Sequence, residues 1–109
     1  MPPSGSFVLA RFAGQPAGCG ALKTLGPGVG EIVRMWVDRP RRGLGVGARI
    51  LDALEEQAAV LGHHTLRLYT NRSLDEAKAM YRERGYVEIA RYNDDPYADH
   101  WFEKRVAAS

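Results

Sequence analysis

Residues 39 to 51 read Arg-Pro-Arg-Arg-Gly-Leu-Gly-Val-Gly-Ala-Arg-Ile-Leu. Glycines alternate with apolar residues, arginines crowd the front, and a helical pattern follows at once. A helix with a glycine-rich first turn presents unpaired backbone N–H groups and the positive end of its macrodipole. Without side chains in the way, a pyrophosphate can approach that backbone. Arg41 and Arg42 add mobile positive charge at the rim. Such a turn suits a diphosphate and requires neither base-specific contacts nor a metal. A phosphate-loop ATPase needs Gly-x-x-x-x-Gly-Lys-Ser/Thr, but Gly47 is followed by Ala48 and Arg49, so that chemistry is excluded. Gly43-Leu44-Gly45-Val46-Gly47-Ala48 matches the dinucleotide pattern literally. That pattern wants an acidic residue roughly 20 positions on, at the end of the next strand. Here that strand ends in Thr70-Asn71, and the further parallel βα units are lacking. A plain strand-to-helix corner needs fewer glycines and no arginines.

The elements that must position this turn follow from periodicity. Phe7 to Ala13 is rich in strand formers, and Gly14-Gln15-Pro16 breaks it as a turn would. Ala17 to Leu25 forms the hairpin partner, Gly26 to Gly30 is a second turn, and Glu31 to Val37 is a third strand. In that strand Ile32, Arg34 and Trp36 alternate with Val33, Met35 and Val37. A helix runs from about Val46 to Leu61, with Ile50, Leu51, Leu54, Ala58 and Leu61 on one apolar stripe and Gly62 as its stop. Thr65 to Thr70 alternates as a strand. Ser73-Leu-Asp-Glu76 has capping-box spacing and opens a second helix, with Ala77, Met80, Tyr81 and Arg84 on one face and Gly85 at its end. Tyr86 to Arg91 and His100 to Val106 are two last strands around the turn Asn93 to Tyr97. The order β-β-β-α-β-α-β-β predicts an α/β (α+β) domain with a mixed sheet. Its β-α-β unit, Glu31 to Thr70, is a parallel crossover.

At 109 residues the chain is one domain, residues 1–109, with one modest core. No apolar run approaches the roughly 20 residues of a membrane helix, and the opening residues do not form a signal peptide. The lone Cys19 fits a reducing cytoplasm. A net charge of +2 is too mild to argue for nucleic acid, and the first helix turns Glu55 and Glu56 outward, against DNA docking. His63 and His64 follow a helix stop and read as surface residues. His100 near Asp94, Asp95 and Asp99 lacks any metal-ligand spacing. Cys19 reads as a small core residue. Trp36 and Trp101 either pack or line an acceptor pocket.

Val37-Asp-Arg-Pro-Arg-Arg42-Gly-Leu-Gly45-Val-Gly47 resembles the acetyl-CoA signature of the GNAT superfamily of N-acetyltransferases, whose core Arg/Gln-x-x-Gly-x-Gly/Ala is met by Arg42, Gly45 and Gly47. Glu31 to Val37 resembles the family's fourth strand. Asn71, Ala77, Met80-Tyr81 and Gly85-Tyr86 resemble its second cofactor segment. The family's usual first strand and first two helices have no counterpart here, which leaves the acceptor wall incomplete and favours a homodimer. The resemblance implies a splayed sheet with pantetheine in the gap between two strands. It assigns the pyrophosphate to the N–H groups of Gly43, Leu44, Gly45, Val46, Gly47 and Ala48, beside Arg42. The edge of Met35, Trp36 and Val37 would pair with the pantetheine amides like an added strand. A bulge there would aim an N–H at the thioester oxygen. Asn71, Ala77 and Tyr81 would line the other wall.

The implied chemistry is attack of an amine on the thioester of acetyl-CoA, as cosubstrate and without a metal. An ammonium must first lose a proton, and the departing thiolate benefits from an acid. Tyr81, a phenol with an ordinary pKa of about 10, is the candidate acid or else a ring packed on pantetheine. Glu31 is the candidate base through a water, or else an exposed strand-end carboxylate. The acceptor is a small-molecule or peptide amine. A non-catalytic acyl-CoA-binding module is the alternative that the same turn serves.

Overall fold

The computed structural model describes residues 6–38, 45–70 and 75–106. The strands are β1 (Ser6–Phe12), β2 (Gln15–Gly26), β3 (Val29–Val37), β4 (Thr65–Thr70), β5 (Val87–Ile89) and β6 (His100–Arg105), and the helices are α1 (Val46–Val60) and α2 (Asp75–Glu83). They build one mixed sheet in the order β1-β2-β3-β4-β6-β5. The expected element order is observed. The Ser73 end of the capping box lies outside the described residues, and the strand expected over residues 86–91 is reduced to the three residues of β5.

Turn chemistry sets the two hairpins. Phe12 faces Gln15, so Ala13 and Gly14 alone make the first turn, both at positive φ. That is the two-residue geometry that suits twisted strands. The sequence placed this break one residue later. Gln15 and Pro16 in fact already belong to β2, with the proline beside a register shift opposite Arg11. In the second turn Pro27 and Gly28, the latter at φ 74°, occupy the two central positions that Pro-Gly prefers.

α1 lies on the face of the sheet that carries Leu22, Ile32, Leu66, Leu68 and Phe102, and buries Ile50, Leu51, Leu54 and Ala58 there. Gly20 permits this approach: a Cβ at that position would come within 2.8 Å of both the Ile50 Cγ2 and the Met35 sulfur. α2 joins the same layer through Tyr81, whose ring meets Tyr86 edge-on at 6.0 Å and Phe102 at 5.9 Å. Glu55 of α1 ties the far side, accepting from the Tyr86 hydroxyl and from Lys104, each at 2.9 Å.

Two irregularities in β3 open the sheet. β3 and β4 run parallel but share only three rungs, from Val29–Thr65 to Glu31–Arg67. Beyond Glu31 the strands part. On the other edge of β3, Cys19 faces Trp36 and Ala21 faces Val33, so Arg34 and Met35 together oppose Gly20. Arg34 sits at φ 56°, the left-handed region that non-glycine residues rarely adopt. This bulge corrects the strict alternation read from the sequence. Ile32, Met35 and Val37 all pack toward the core, whereas Trp36 turns to the opposite face. Among the described residues no helix is long and apolar enough to cross a membrane.

Candidate functional site

The gap between the parted strands is a cleft of about 250 Å³. Ile32, Val33, Arg34 and Met35 form one wall and Leu68, Tyr69 and Thr70 the other. Tyr81 closes it from the helix side, and Tyr97 stands at its opposite rim. Past Glu31 the β4-facing edge of β3 has no ladder partner among the described residues. A strand edge without a ladder is the kind of surface to which an extended amide ligand can be added.

α1 begins next to the far end of β3, where an added Cβ on Gly47 would lie 3.5 Å from Val37 Cγ2. Gly45 is its N-cap at φ 81°, with no side-chain cap. The first helical hydrogen bond runs from Arg49 N–H to the Gly45 carbonyl at 3.1 Å. The N–H groups of Val46, Gly47 and Ala48 precede that bond and so have no acceptor within the helix. Gly47 lies against Met80 of α2, where an added Cβ would sit 3.1 Å from the sulfur. An added methyl here would require the Met80 side chain to give by a few tenths of an ångström. Arg42, Gly43, Leu44 and Asn71 lie outside the described residues. Of the remaining positions named from the sequence, Met35 and Tyr81 line the cleft, whereas Val37 and Ala77 are partly buried against the core and Val46 is buried in it, none of these three in the cleft lining. Trp36 is half exposed on the other face of the sheet.

Tyr81 is 5% exposed, and burial pushes its phenol up to about 12. Glu31 is not the exposed strand-end carboxylate that the sequence left open. It is 2% exposed, accepts the Tyr92 hydroxyl at 2.7 Å on Oε2, and has Lys23 Nζ 3.5 Å from Oε1. It sits on the last rung before the strands part, one step behind the cleft wall. Burial, and then the bond to Glu31, raise the Tyr92 phenol.

Sequence reasoning missed a second phenol–carboxylate pair. The Tyr69 hydroxyl donates to Asp95 Oδ2 at 2.8 Å, and Tyr69 is part of the cleft wall. The hydrogen bond to Asp95, followed by burial, pushes the Tyr69 phenol up to about 12. The alternation of β4 put Arg67 and Tyr69 on one face, but the partner lies 26 residues away in an irregular turn. That turn is fixed by Trp101, whose indole N–H donates to Asn93 Oδ1 at 2.9 Å, so this tryptophan packs beneath the turn. Cys19 is half-buried on the sheet face opposite α1, with Sγ 3.5 Å from the Arg34 carbonyl, rather than in the core. His63 is 4% exposed, which corrects its reading as a surface residue: its backbone N–H reaches back to the Ala58 carbonyl, and its ring turns in toward the sheet, lying against Gly30 with Nε2 3.4 Å from the Thr24 hydroxyl. Among the described residues no cluster of three or more His, Cys, Asp or Glu could hold a metal.

This geometry has close relatives. The model of the acetyltransferase (GNAT) family matches residues 1–86. An IAA acetyltransferase of Azospirillum brasilense is 35% identical over 99 residues, covering 86% of this chain and 64% of its own length. The uncharacterized N-acetyltransferase YsnE of Bacillus subtilis is 34% identical, covering 86% of this chain and 66% of its own length. The chain thus spans slightly less than two thirds of these relatives. A solved structure from Klebsiella pneumoniae, provisionally assigned as an acyl-CoA N-acyltransferase, superposes with a TM-score of 0.84 at 34% identity, over 97% of this chain and 76% of that one. The PaiA N-acetyltransferase of Thermoplasma acidophilum, solved with coenzyme A, shares the fold with a TM-score of 0.79 at 20% identity, over 94% of this chain and 61% of that one.

Proposed function

The chain belongs to the GNAT family of acetyltransferases, and on that ground we propose that it moves an acetyl group from acetyl-CoA to a primary amine by direct attack on the thioester. The observation that carries the reading is the cleft where β3 and β4 part, with Tyr81 in its wall and an uncapped helix start next to the far end of β3. The N–H groups of Val46, Gly47 and Ala48, with the segment before them and Arg42, would hold the diphosphate. The β4-facing edge of Met35, Trp36 and Val37 would take the pantetheine amides, and Asn71, Ala77 and Tyr81 the opposite wall. The left-handed bulge at Arg34 fits an N–H turned toward the thioester oxygen, where it would stabilise the tetrahedral oxyanion.

In this reading Glu31 receives the amine's proton through a water and Tyr81 hydrogen-bonds the departing thiolate. Proximity in the cleft supplies much of the remaining rate. A second reading, a non-catalytic acyl-CoA-binding module, draws on Glu31 itself. A carboxylate bonded to Tyr92 and set behind the cleft wall is less free to take a proton. The two part in one experiment. Calorimetry with coenzyme A tests the cleft, and thiol release from acetyl-CoA with a panel of primary amines tests the chemistry. Binding with turnover supports the transferase, binding without turnover across the panel supports the module, and absence of binding removes both. The lone cysteine fits a cytoplasmic setting. Phe7, Leu9 and Trp36, exposed on the sheet face away from α1, support a homodimer through that face.

A further inference from the structure

Asp95 stands apart from the other carboxylates withdrawn from solvent. Glu31 has Lys23 beside it, Glu55 has Lys104 and Glu103 has Arg67. Asp95 is held only by neutral donors, the Tyr69 hydroxyl on Oδ2 and the Tyr97 backbone N–H on Oδ1, each at 2.8 Å. Among the described residues it has no cationic partner. A half-buried carboxylate without one is costly unless a counter-charge arrives. The surroundings favour a visiting cation. Tyr69 spends its hydrogen on Asp95, so its oxygen offers the cleft lone pairs only. Tyr97, 78% exposed at the same rim, offers a ring face. Among the described residues, the charged and titratable groups that bear on Tyr69 beside Asp95 are matched: Tyr92 and Lys23 on Glu31, and Arg67 on Glu103 with its guanidinium over the Tyr92 ring.

We propose that Tyr69 and Asp95 form the acceptor-binding element of the cleft and select a cationic alkylamine: its ammonium donates to the Tyr69 oxygen while Asp95 balances its charge. The assignment rests on the amine-acetylation reading and names the class of acceptor that the same cleft takes. Tyr69 is the contacting residue. Asp95 acts through it, which predicts an effect on acceptor affinity that depends on the acceptor's charge.

The test compares butylamine, an ammonium at neutral pH, with aniline, which is neutral there, in thiol-release kinetics with acetyl-CoA. Asp95→Asn keeps an oxygen for the Tyr69 hydroxyl at the expense of the bond from the exposed Tyr97 N–H, so the Tyr69 side of the wall is retained while the charge goes. The expected result is a fall of about tenfold or more in the ratio of kcat/KM for butylamine to that for aniline, expressed in the butylamine KM. Tyr69→Phe shifts the ratio in the same direction. The butylamine KM of the unaltered protein rises with salt, and that of Asp95→Asn does not. A ratio within twofold of the unaltered protein overturns the assignment. If neither amine turns over, the transferase reading falls, but calorimetry of butylamine into the coenzyme A complex still decides this one. Heat with the unaltered protein and none with Asp95→Asn sustains it, whereas equal heats, or none with either, overturn it.

Discussion

Replacing Tyr81 by phenylalanine removes one oxygen from a ring that is 5% exposed and packed on Tyr86 and Phe102. The ring contacts survive, so the stability change stays within about 1 kcal/mol. The chemical consequence follows from acidity. Burial raises this phenol to about 12, whereas a thiol such as the leaving group titrates near about 8.5. The two differ by roughly 3.5, and at about 1.36 kcal/mol for each the full transfer of the proton is uphill by about 5 kcal/mol in the resting site. On the proposed reading Tyr81 would therefore act by hydrogen-bonding the thiolate as it forms, rather than by handing over its proton early. Help of that kind lies at the lower end of general acid catalysis, about 10²-fold. Tyr81→Phe is expected to lower kcat by about that factor in a thiol-release assay, with the acetyl-CoA KM changed less than about threefold. In the unaltered protein the raised phenol keeps its proton through the mildly alkaline range, so Tyr81 should add no alkaline limb to kcat there. An unchanged kcat in the variant would assign Tyr81 to packing alone and refute the argument from acidity.

Other perturbations separate structure from chemistry. Glu31→Gln keeps an acceptor for the Tyr92 hydroxyl and should fold normally, yet lower kcat in the thiol-release assay by about 10²-fold; an unchanged kcat takes Glu31 out of the mechanism. Gly20→Ala forces its new methyl against Ile50 and Met35 and is expected to cost about 1–3 kcal/mol in urea unfolding, and a loss under about 0.5 kcal/mol would contradict the close approach of α1. Burial, and then His64, depress His63 in the folded state, so below its ordinary value near about 6.5 the unfolded chain binds the extra proton. Its contribution is thus complete above about pH 6.5 and is lost as pH falls toward the depressed value. The unfolding free energy should drop between pH 7.5 and 5.5 by more than it does in His63→Gln, and parallel curves would refute this.

The elements were legible because their signals are local. The 3- and 4-residue stripe of α1, the alternation of β4 and the Pro27-Gly28 turn each announce themselves within a dozen residues. The glycine-rich helix start was legible for the same reason, since backbone exposure there depends on missing side chains alone. The bulge was not. Arg34, Met35 and Trp36 keep an unbroken alternation in sequence, and only the meeting of Gly20 with α1 decides that two residues must face one. Gly18 and Gly20, spaced by two on one strand face, were the available hint of a helix packed close there. Glu31 with Tyr92 and Tyr69 with Asp95 are pairs across 61 and 26 residues, made by β5 and β6 folding back beside β4. No spacing rule within a segment reaches that far. His63 was misplaced because a helix stop usually faces water, whereas this one turns its chain inward.

The three shared rungs of β3 and β4 are the only ladder joining the two halves of the sheet among the described residues. The seam resembles a zip fastened at one end, with α1 and the core residues as the cloth behind it. A ligand lying along the open teeth would complete the closure, so the amides of Ile32 to Val37 and of Leu68 to Thr70 should exchange with deuterium in step with one another. Saturation with coenzyme A should slow both sets together while leaving the β1–β2 hairpin untouched. On the proposed reading, the seam with the fewest rungs would then also be the place where a bound cosubstrate completes the sheet.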